Sequence, residues 1–139
     1  MKFFVIGGGQ SGNRVAGAVN RRLKLIRNEL PEAMEDVKAD LIKRTKGGTD
    51  IAGGQFKSYS KSWAAVRRAE GLQTSTPDLT FTGAMLNALR VKSYRNAAEI
   101  YFESRAEARK ASENQRLRAF FGWTKRAVEI LVNRLRSAK

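Results

Sequence analysis

The stretch that decides the fold is Asn13–Arg44, which reads NRVAGAVNRRLKLIRNELPEAMEDVKADLIKR. Its apolar residues recur every three or four positions, which is the spacing of one face of an α-helix. The residues of this apolar stripe are Val15, Val19, Leu23, Ile26, Leu30, Met34, Val37 and Leu41. The pattern predicts one long amphipathic helix. Pro31 is expected to kink or divide it near Asn28–Leu30, because proline lacks the backbone N–H and clashes with the preceding turn.

The apolar stripe has two interpretations, and the pattern alone leaves both open. A helix of this length cannot be covered on all sides within 139 residues. The stripe could therefore pack in the core of its own chain or contact another subunit. The residues that we assign to a subunit interface, as a hypothesis, are Phe3, Phe4, Val5, Ile6, Leu23, Ile26 and Leu30.

The residues before the long helix predict an N-terminal arm. Phe3–Ile6 is apolar and is typical of a short strand, or of an arm that pairs with the sheet of a neighbouring chain. The glycine-rich bend Gly7–Gly12 follows. We therefore divide the chain into an arm with a glycine hinge, residues 1–12, and a single α+β domain, residues 13–139.

The segment after the long helix alternates between loops and one short helix. Gly47–Gln55 (GGTDIAGGQ) and Gly71–Pro77 have the composition of loops. Between them, Lys61–Ala69 is predicted to be a helix with Trp63 and Val66 on one side.

A hairpin follows, and its pattern makes the fold α+β. Thr82 is a suitable N-cap for a short helix, Gly83–Ala88. Leu89–Tyr94 alternates apolar and polar residues as a half-buried strand does, and Ala98–Phe102 is its expected antiparallel partner across a turn at Arg95-Asn96. The expected architecture is a long N-terminal helix and a C-terminal helix packed on a small antiparallel sheet.

The last third has one open element and one clear helix. Arg105–Gln115 is polar and could be a helix or a loop. Thr124 caps a final amphipathic helix that carries Val128, Leu131, Val132 and Leu135. Buried aromatic residues should close the core, and the set expected to do so is Tyr59, Trp63, Phe81, Phe120, Phe121 and Trp123.

The segment Gly7–Gly12 (GGGQSG) matches the dinucleotide fingerprint GxGxxG, but its context argues against a cofactor. A Rossmann unit needs a second parallel strand that ends near the acidic residue Glu29, whereas Lys24–Leu30 continues the helical stripe. No alternation of strands and helices follows. We therefore interpret the glycines as a hinge and expect no cofactor.

Composition narrows the chemistry further, because the chain contains neither histidine nor cysteine. This excludes disulfides, thiolate nucleophiles, Cys/His zinc sites and serine–histidine triads. Asp36 and Asp40 lie one helical turn apart, but basic residues surround them and no further ligand is indicated. The sequence thus predicts no catalytic residues and no metal site, and a protein that is not an enzyme.

The charge predicts an anionic partner. The formal net charge is +14, and residues 104–139 carry ten basic residues against three acidic ones. Such an excess favours contact with nucleic acid or with an acidic protein surface. The residues that we expect to face this partner are Arg105, Arg109, Lys110, Arg116, Arg118, Lys125, Arg126, Arg134 and Arg136. No apolar run reaches the ~20 residues that span a bilayer, so we expect a protein made and used in the cytoplasm, without a membrane partner.

Three stretches carry a resemblance to a known family. We refer to them as the three motif stretches. They are GQFKSYS at Gly54–Ser60 with Trp63 and Arg67 following, PDLTFTGAMLNAL at Pro77–Leu89, and Asn114-Gln115 with Arg118 and Phe120–Trp123. In this order they resemble the virion-morphogenesis and tail-completion proteins of tailed double-stranded DNA phages. Ala88 stands where that family usually has serine, and Asn114 lies near the place of its customary histidine.

The resemblance implies a structural role in the phage neck. A protein of this kind would form a ring, by resemblance a hexamer, at the head–tail junction and would join the tail to the head. Its partners would be copies of itself, other neck or tail proteins, and DNA in the channel. It would reside in the virion after assembly in the host cytoplasm. The alternative class is a small basic nucleic-acid-binding protein, although no helix-turn-helix or zinc pattern supports it.

Overall fold

Helices and one small antiparallel sheet form the fold, as the sequence predicts. The structure is a computed structural model that describes residues 5–6 and 14–139, with side chains from residue 17 onward. In chain order the elements are β1 (Val5–Ile6), α1 (Arg14–Lys46), α2 (Lys61–Ala69), α3 (Ala84–Asn87), β2 (Leu89–Ser93), β3 (Ala97–Phe102), α4 (Arg105–Leu117) and α5 (Lys125–Arg136). The α+β class is confirmed.

Helix α1 runs through Pro31 as one helix of 33 residues, so the division expected near Asn28–Leu30 does not occur. Proline removes one backbone hydrogen bond from the helix. On either side of it Leu30, Ala33 and Met34 are fully buried. Apolar burial in adjacent turns holds the helix together where local propensity would interrupt it.

The sheet has the order β1-β3-β2, with β3 in the centre and both pairings antiparallel. The β2–β3 hairpin pairs Leu89 with Phe102, and its turn is closed by the Tyr94 N–H, which donates to the Ala97 carbonyl at 2.7 Å. The predicted hairpin with Arg95-Asn96 at its turn is confirmed.

The N-terminal strand pairs with the sheet of its own chain. Val5 lies opposite Ala98 and Ile6 opposite Ala97 on β3. The sequence left open whether these residues pair within the chain or with a neighbour, and the structure has the first arrangement. Phe3, Phe4 and the glycine bend Gly7–Gly12 lie outside the described residues.

The core lies where α1 meets the sheet and α5, and residues of the short helix α3 belong to it. The second half of the apolar stripe is buried there, together with the inward residues of the hairpin. Met85 and Leu86 of α3 and Leu89 of β2 belong to this core, and they are 7%, 1% and 2% exposed. Helix α5 begins at the predicted cap, because the Thr124 hydroxyl accepts the Ala127 N–H at 3.0 Å.

The caps of the other short helices settle their bounds. Ser60 caps α2 by accepting the Trp63 N–H. Ser104 caps α4 in the same way, so the open segment Arg105–Gln115 is a helix. For α3 the cap position is Gly83 with φ +80°, rather than Thr82, whose hydroxyl accepts the Ala84 N–H from one residue earlier.

The aromatic core is smaller than predicted. Phe120 and Phe121 are buried, and Gln115 accepts both of their N–H groups at 3.0 Å. Trp63, Phe81 and Trp123 are instead 42%, 41% and 37% exposed. The prediction that these three close the core is wrong. Among the helices that the structure describes, none is long and apolar enough to cross a membrane.

Candidate functional site

A groove lies beside α2, and we call it the Trp63 groove. It consists of two adjoining cavities. The first, of about 300 Å³, lies between α2, the segment 79–85 and α4. The second, of about 270 Å³, is bounded by residues 57–60 and the end of α4. Trp63 and Arg118 line both cavities, so the two adjoin at these residues.

The wall of the groove is built on a buried arginine. Arg67 is 2% exposed and is the buried residue of α2, whereas Trp63 and Val66, which the sequence predicts on one side of this helix, are both exposed. Its guanidinium donates to the carbonyls of Gln73 at 3.0 Å and Thr80 at 2.6 Å, and it pairs with Asp78 at 3.3 Å. A buried guanidinium is tolerated because these acceptors replace the water that it loses.

Asp78 is the carboxylate that balances this buried charge. Its oxygens accept from the Thr80 N–H at 2.9 Å, the Tyr59 hydroxyl at 3.2 Å and the Gln73 amide at 3.0 Å. Burial alone would raise the pKa of Asp78. The hydrogen bonds from Thr80 and Gln73, together with the charge of Arg67, outweigh that effect and hold this pKa below its ordinary value.

The backbone between these partners is strained. Leu79 has φ +54°, a left-handed conformation that is unfavourable for a bulky residue. The Asp78 carboxylate accepts the Thr80 N–H and the Arg67 guanidinium donates to the Thr80 carbonyl, so both side chains hold the residue that follows Leu79. The turn carries Leu79 and Phe81 into the lining of the groove. The hydrogen bonds of Arg67 and Asp78 therefore maintain the shape of the groove at the expense of local strain.

Tyr59 connects this network to α4. The guanidinium carbon of Arg67 lies 4.7 Å from the centre of the Tyr59 ring, and that of Arg118 lies 5.2 Å from it. Arg118 also donates to the carbonyls of Lys57 and Ser58 at 2.7 and 3.0 Å. Burial, followed by the proximity of Asp78, raises the pKa of Tyr59, so its hydroxyl remains a donor.

The three motif stretches therefore meet at one place. Tyr59 and Arg67 come from the first, Asp78 from the second and Arg118 from the third, across about sixty residues of sequence. Their side chains share the Tyr59 ring and the Asp78 carboxylate. Residues that are far apart in the sequence form a single structural unit.

The rim of the groove is apolar and exposed. Trp63 and Phe81 contact each other with ring centres 5.3 Å apart, and each is about two-fifths exposed. Leu117, at the end of α4, is 64% exposed and lines the second cavity beside Trp63. Exposed apolar residues that cluster at one depression are typical of a binding surface.

Acidic groups occur on the α4 side. Glu107 and Glu113 line the first cavity with Lys110, whose ammonium contacts Glu107 at 2.8 Å. The second carboxylate oxygen of Glu107 is buried without a hydrogen-bond partner within the described part of the chain.

The predicted anion-facing residues separate into two groups. Arg134 contacts Glu29 at 3.2 Å, Asp36 at 3.6 Å and also Glu32, so it joins α5 to α1 instead of facing outward. Arg118 is bound within the Trp63 groove, and Lys110 is paired with Glu107. The remaining members of the set are exposed: Arg105, Arg109, Arg116, Lys125, Arg126 and Arg136. Two of these form exposed ion pairs within their own helix, Arg109 with Glu113 at 3.7 Å and Arg126 with Glu129 at 4.0 Å.

The residues assigned to a subunit interface also differ in burial. Leu30 is 4% exposed and packs in the core of its own chain, so it offers almost no surface to a neighbour. Leu23 and Ile26 are half-buried, and Val19, one turn earlier, is 49% exposed. The outer turns of α1 thus leave Val19 and parts of Leu23 and Ile26 exposed, whereas the apolar residues of its second half are buried.

Neither a metal site nor a cofactor site is apparent in the described residues. They contain no cluster of three or more acidic side chains that could hold an ion, and the chain has no histidine or cysteine. Of the two aspartates one turn apart, Asp36 contacts Arg134. The glycine bend Gly7–Gly12 falls outside the described range.

Sequence reasoning missed the pairing of Arg67 with Asp78. One signal for it exists, since Asp78 is the sole acidic residue between Glu70 and Glu99. Arg67 follows Trp63 by four positions, so both lie on the same side of α2. Arg67 is nevertheless buried and Trp63 exposed, because the loop 71–80 covers Arg67, and no local sequence pattern predicts where that loop folds.

Comparison of the chain with protein-family models, with curated protein sequences and with solved structures finds no match.

Proposed function

We propose that the chain is a structural virion protein of the neck or tail-completion type, found in tailed double-stranded DNA phages. It would form a ring at the head–tail junction and join the tail to the head. The observation that carries the proposal is the meeting of the three motif stretches at Tyr59, Asp78 and Arg118. Each of the three motif stretches is a short match to the family. Because their side chains contact one another, they support the resemblance better than three matches at separate places in the fold would.

The outer part of α1 supports assembly through the N-terminal region. Residues 17–22 are all exposed, and Val19 continues the apolar stripe beyond the part that the core covers. A ring requires a head-to-tail interface between two different surfaces of the same protein. In the proposed ring, the exposed turns of α1 with Leu23 and Ile26 form one of these surfaces.

The strand β1 offers a second route to the same assembly. It contributes only two residue pairs, Val5–Ala98 and Ile6–Ala97, at an edge of the sheet. Because so few pairs hold it, exchange of this strand with the β3 edge of a neighbour would sacrifice little stability. The arm, Phe3–Ile6, would then join adjacent subunits.

The proposed role is assembly rather than catalysis. The partners would be copies of the chain, six by resemblance, and other neck or tail proteins. The exposed basic residues of α4 and α5 would face acidic protein surfaces or DNA in the channel. The protein would be part of the virion after assembly in the host cytoplasm.

The mass in solution tests the proposal. Light scattering is measured for the full chain and for a chain that lacks residues 1–9, with circular dichroism to show that the shortened chain folds. A ring-sized species that becomes a monomer on truncation supports assembly through the arm. A monomer in both cases, alone and mixed with neck and tail proteins of the same phage, contradicts the proposal.

A second candidate, a nucleic-acid-binding protein, is favoured by the charge of α1. Arg21, Arg22, Lys24 and Arg27 follow one another without an acidic residue until Glu29. Arg21 and Lys24 are exposed, as are Arg105, Arg116, Lys125 and Arg136 on α4 and α5. Binding of double-stranded DNA is measured at several salt concentrations. Affinity that falls steeply as salt rises supports this candidate, and affinity that does not change with salt contradicts it.

A further inference from the structure

We infer that the Trp63 groove binds an acidic peptide segment with aromatic or aliphatic side chains, supplied by a different protein. The inference concerns this one surface. It stands whether or not the chain forms a ring, because the groove lies within a single chain.

The shape of the groove and its apolar rim favour a partner with large apolar side chains. Two cavities of about 300 and 270 Å³ adjoin at Trp63. Phe81 borders the first and Leu117 the second, and all three residues are more than a third exposed. Removing apolar surface from water lowers the free energy, so a partner that covers these residues with its own apolar side chains is favoured.

The groove also resembles a prepared interface in its residue types. Tryptophan, tyrosine and arginine dominate the energetics of protein interfaces, and Trp63, Tyr59 and Arg118 all line this groove. Arg118 is held by the carbonyls of Lys57 and Ser58, and Tyr59 by Asp78. Side chains that are already fixed lose less conformational entropy when a partner binds.

The charge selects an acidic partner. The cationic residues that line the two cavities are Lys57, Arg67, Lys110 and Arg118, against the carboxylates Glu107 and Glu113. Asp78 and Glu107 already balance Arg67 and Lys110. The ammonium of Lys57 has no ion-pair partner within the described chain, which leaves the second cavity positive. A second copy is disfavoured as occupant because the segments proposed to join copies, Phe3–Ile6 and residues 17–27 of α1, contain no acidic residue.

The same residues favour a peptide over nucleic acid. A nucleic acid carries a phosphate at every residue and would have to pass Glu107 and Glu113 in the first cavity, whereas a peptide can place its acidic residues at the positive second cavity and its apolar residues at the first. Tyr59, Trp63 and Phe81 are aromatic, but Met85 in the first cavity and Leu117 in the second interrupt the aromatic surface on which successive bases of a single strand would stack. Mixed apolar pockets with both charges at their margins fit peptide side chains better.

Selection from a display library of random short peptides tests the inference with the full chain. The library is selected on the wild-type protein and counter-selected on Trp63→Ala, and the recovered peptides are sequenced. We expect enrichment of peptides that combine Asp or Glu with Phe, Tyr, Trp or Leu. The affinity of the most enriched peptide, measured by fluorescence anisotropy, should fall by about tenfold or more in Trp63→Ala and also fall in Lys57→Glu.

Two matched variants serve as controls. Trp123→Ala removes a tryptophan of similar exposure that does not line the groove, and Lys125→Glu reverses an exposed charge on α5. Both should bind the peptide as the wild type does, and circular dichroism checks that all four variants fold.

Four results would overturn the inference. They are failure to enrich any peptide over Trp63→Ala, enrichment of basic or non-apolar peptides, enrichment of sequences like Phe3–Ile6, and displacement of the peptide by single-stranded oligothymidine. The third would identify a second copy as the occupant, and the fourth would identify nucleic acid.

Discussion

Two arginine-centred clusters differ in where the chain places them. Arg67 is buried in the wall of the Trp63 groove with Asp78, and its side chain is 2% exposed. Arg134 lies on the surface between α5 and α1, where Glu29, Glu32 and Asp36 surround a side chain that is 38% exposed. Arg134 has more carboxylates near it, but Arg67 has lost more water. The number of ion pairs therefore says less about stability than the burial of the group that makes them.

The pKa values reflect the same contrast. For Arg134 the hydrogen bond to Glu32, together with the charges of Asp36 and the other carboxylates, raises the pKa further above its ordinary value. That arginine is charged in any case, so the shift has no consequence near neutral pH. For Asp78 the pKa is lowered in spite of burial, which links the folded state to the ionised carboxylate.

The largest expected effect is that of removing Asp78. Asp78→Ala leaves the buried guanidinium of Arg67 without its carboxylate, and the free energy of unfolding should fall by about 3 to 5 kcal/mol. Urea denaturation measures this change. Asp36→Ala, which removes a carboxylate from the Arg134 cluster, is the matched control and should have a several-fold smaller effect. Equal losses in the two variants would contradict the comparison.

A glycine that braces the loop before Asp78 should have the next largest effect. Gly48 has φ +77°, and a Cβ added there would lie 2.2 Å from the Cγ2 of Thr76 and 3.1 Å from the Pro77 carbonyl. Gly48→Ala should lower the free energy of unfolding by about 1 to 3 kcal/mol. Gly53→Ala is the control, since Gly53 has φ +88° with open space around it. If the two variants lose equal stability, backbone strain alone accounts for the effect and the contact with the 76–77 loop contributes nothing.

A smaller effect is the pH dependence of the Arg67–Asp78 pair. Because the pKa of Asp78 is lower in the folded state, its contribution is fully present above the ordinary aspartate pKa of 3.8 and is lost as pH falls through the folded value. The stability difference between wild type and Asp78→Asn should therefore be constant near neutral pH and shrink below pH 3.8. Urea denaturation over this range measures it, and a difference that grows on acidification would reverse the sign that we assign.

The smallest effect is expected at Arg134. Arg134→Gln removes exposed ion pairs, so the loss of stability should be well below that of Asp78→Ala and should diminish further at high salt. Thermal unfolding at low and high salt checks this. A large loss that does not depend on salt would mean that the α1–α5 contact depends on packing of the Arg134 side chain rather than on its charge.

Several elements could be predicted because local rules decide them. The spacing of the apolar stripe fixed α1, and the alternation in Leu89–Tyr94 fixed the hairpin. The helix cap at Thr124 and the loop at Gly47–Gln55 could also be predicted from the sequence. The helix is not divided at Pro31, because burial of Leu30, Ala33 and Met34 outweighs the loss of one backbone hydrogen bond.

Only part of the candidate site could be predicted from the sequence. Tyr59, Asp78 and Arg118 all lie in the motif stretches, yet no pattern shows that Arg67 is the buried residue of α2 while Trp63 is exposed. Likewise, the sequence predicts Arg134 to face an anionic partner, whereas the packing of α5 on α1 places Glu29 and Glu32 beside it. Both errors come from long-range contacts, which periodicity within one element does not contain.

The sequence by itself determined the α+β class, the long helix, the hairpin, the net positive charge and the absence of histidine and cysteine chemistry. These properties depend on composition and on interactions between residues a few positions apart. Only the tertiary structure decided which charged residues are buried, which aromatic residues remain exposed and that the three motif stretches form one groove. The physical reason is that burial and electrostatic pairing depend on distances between elements, and those distances are set by packing of the whole chain.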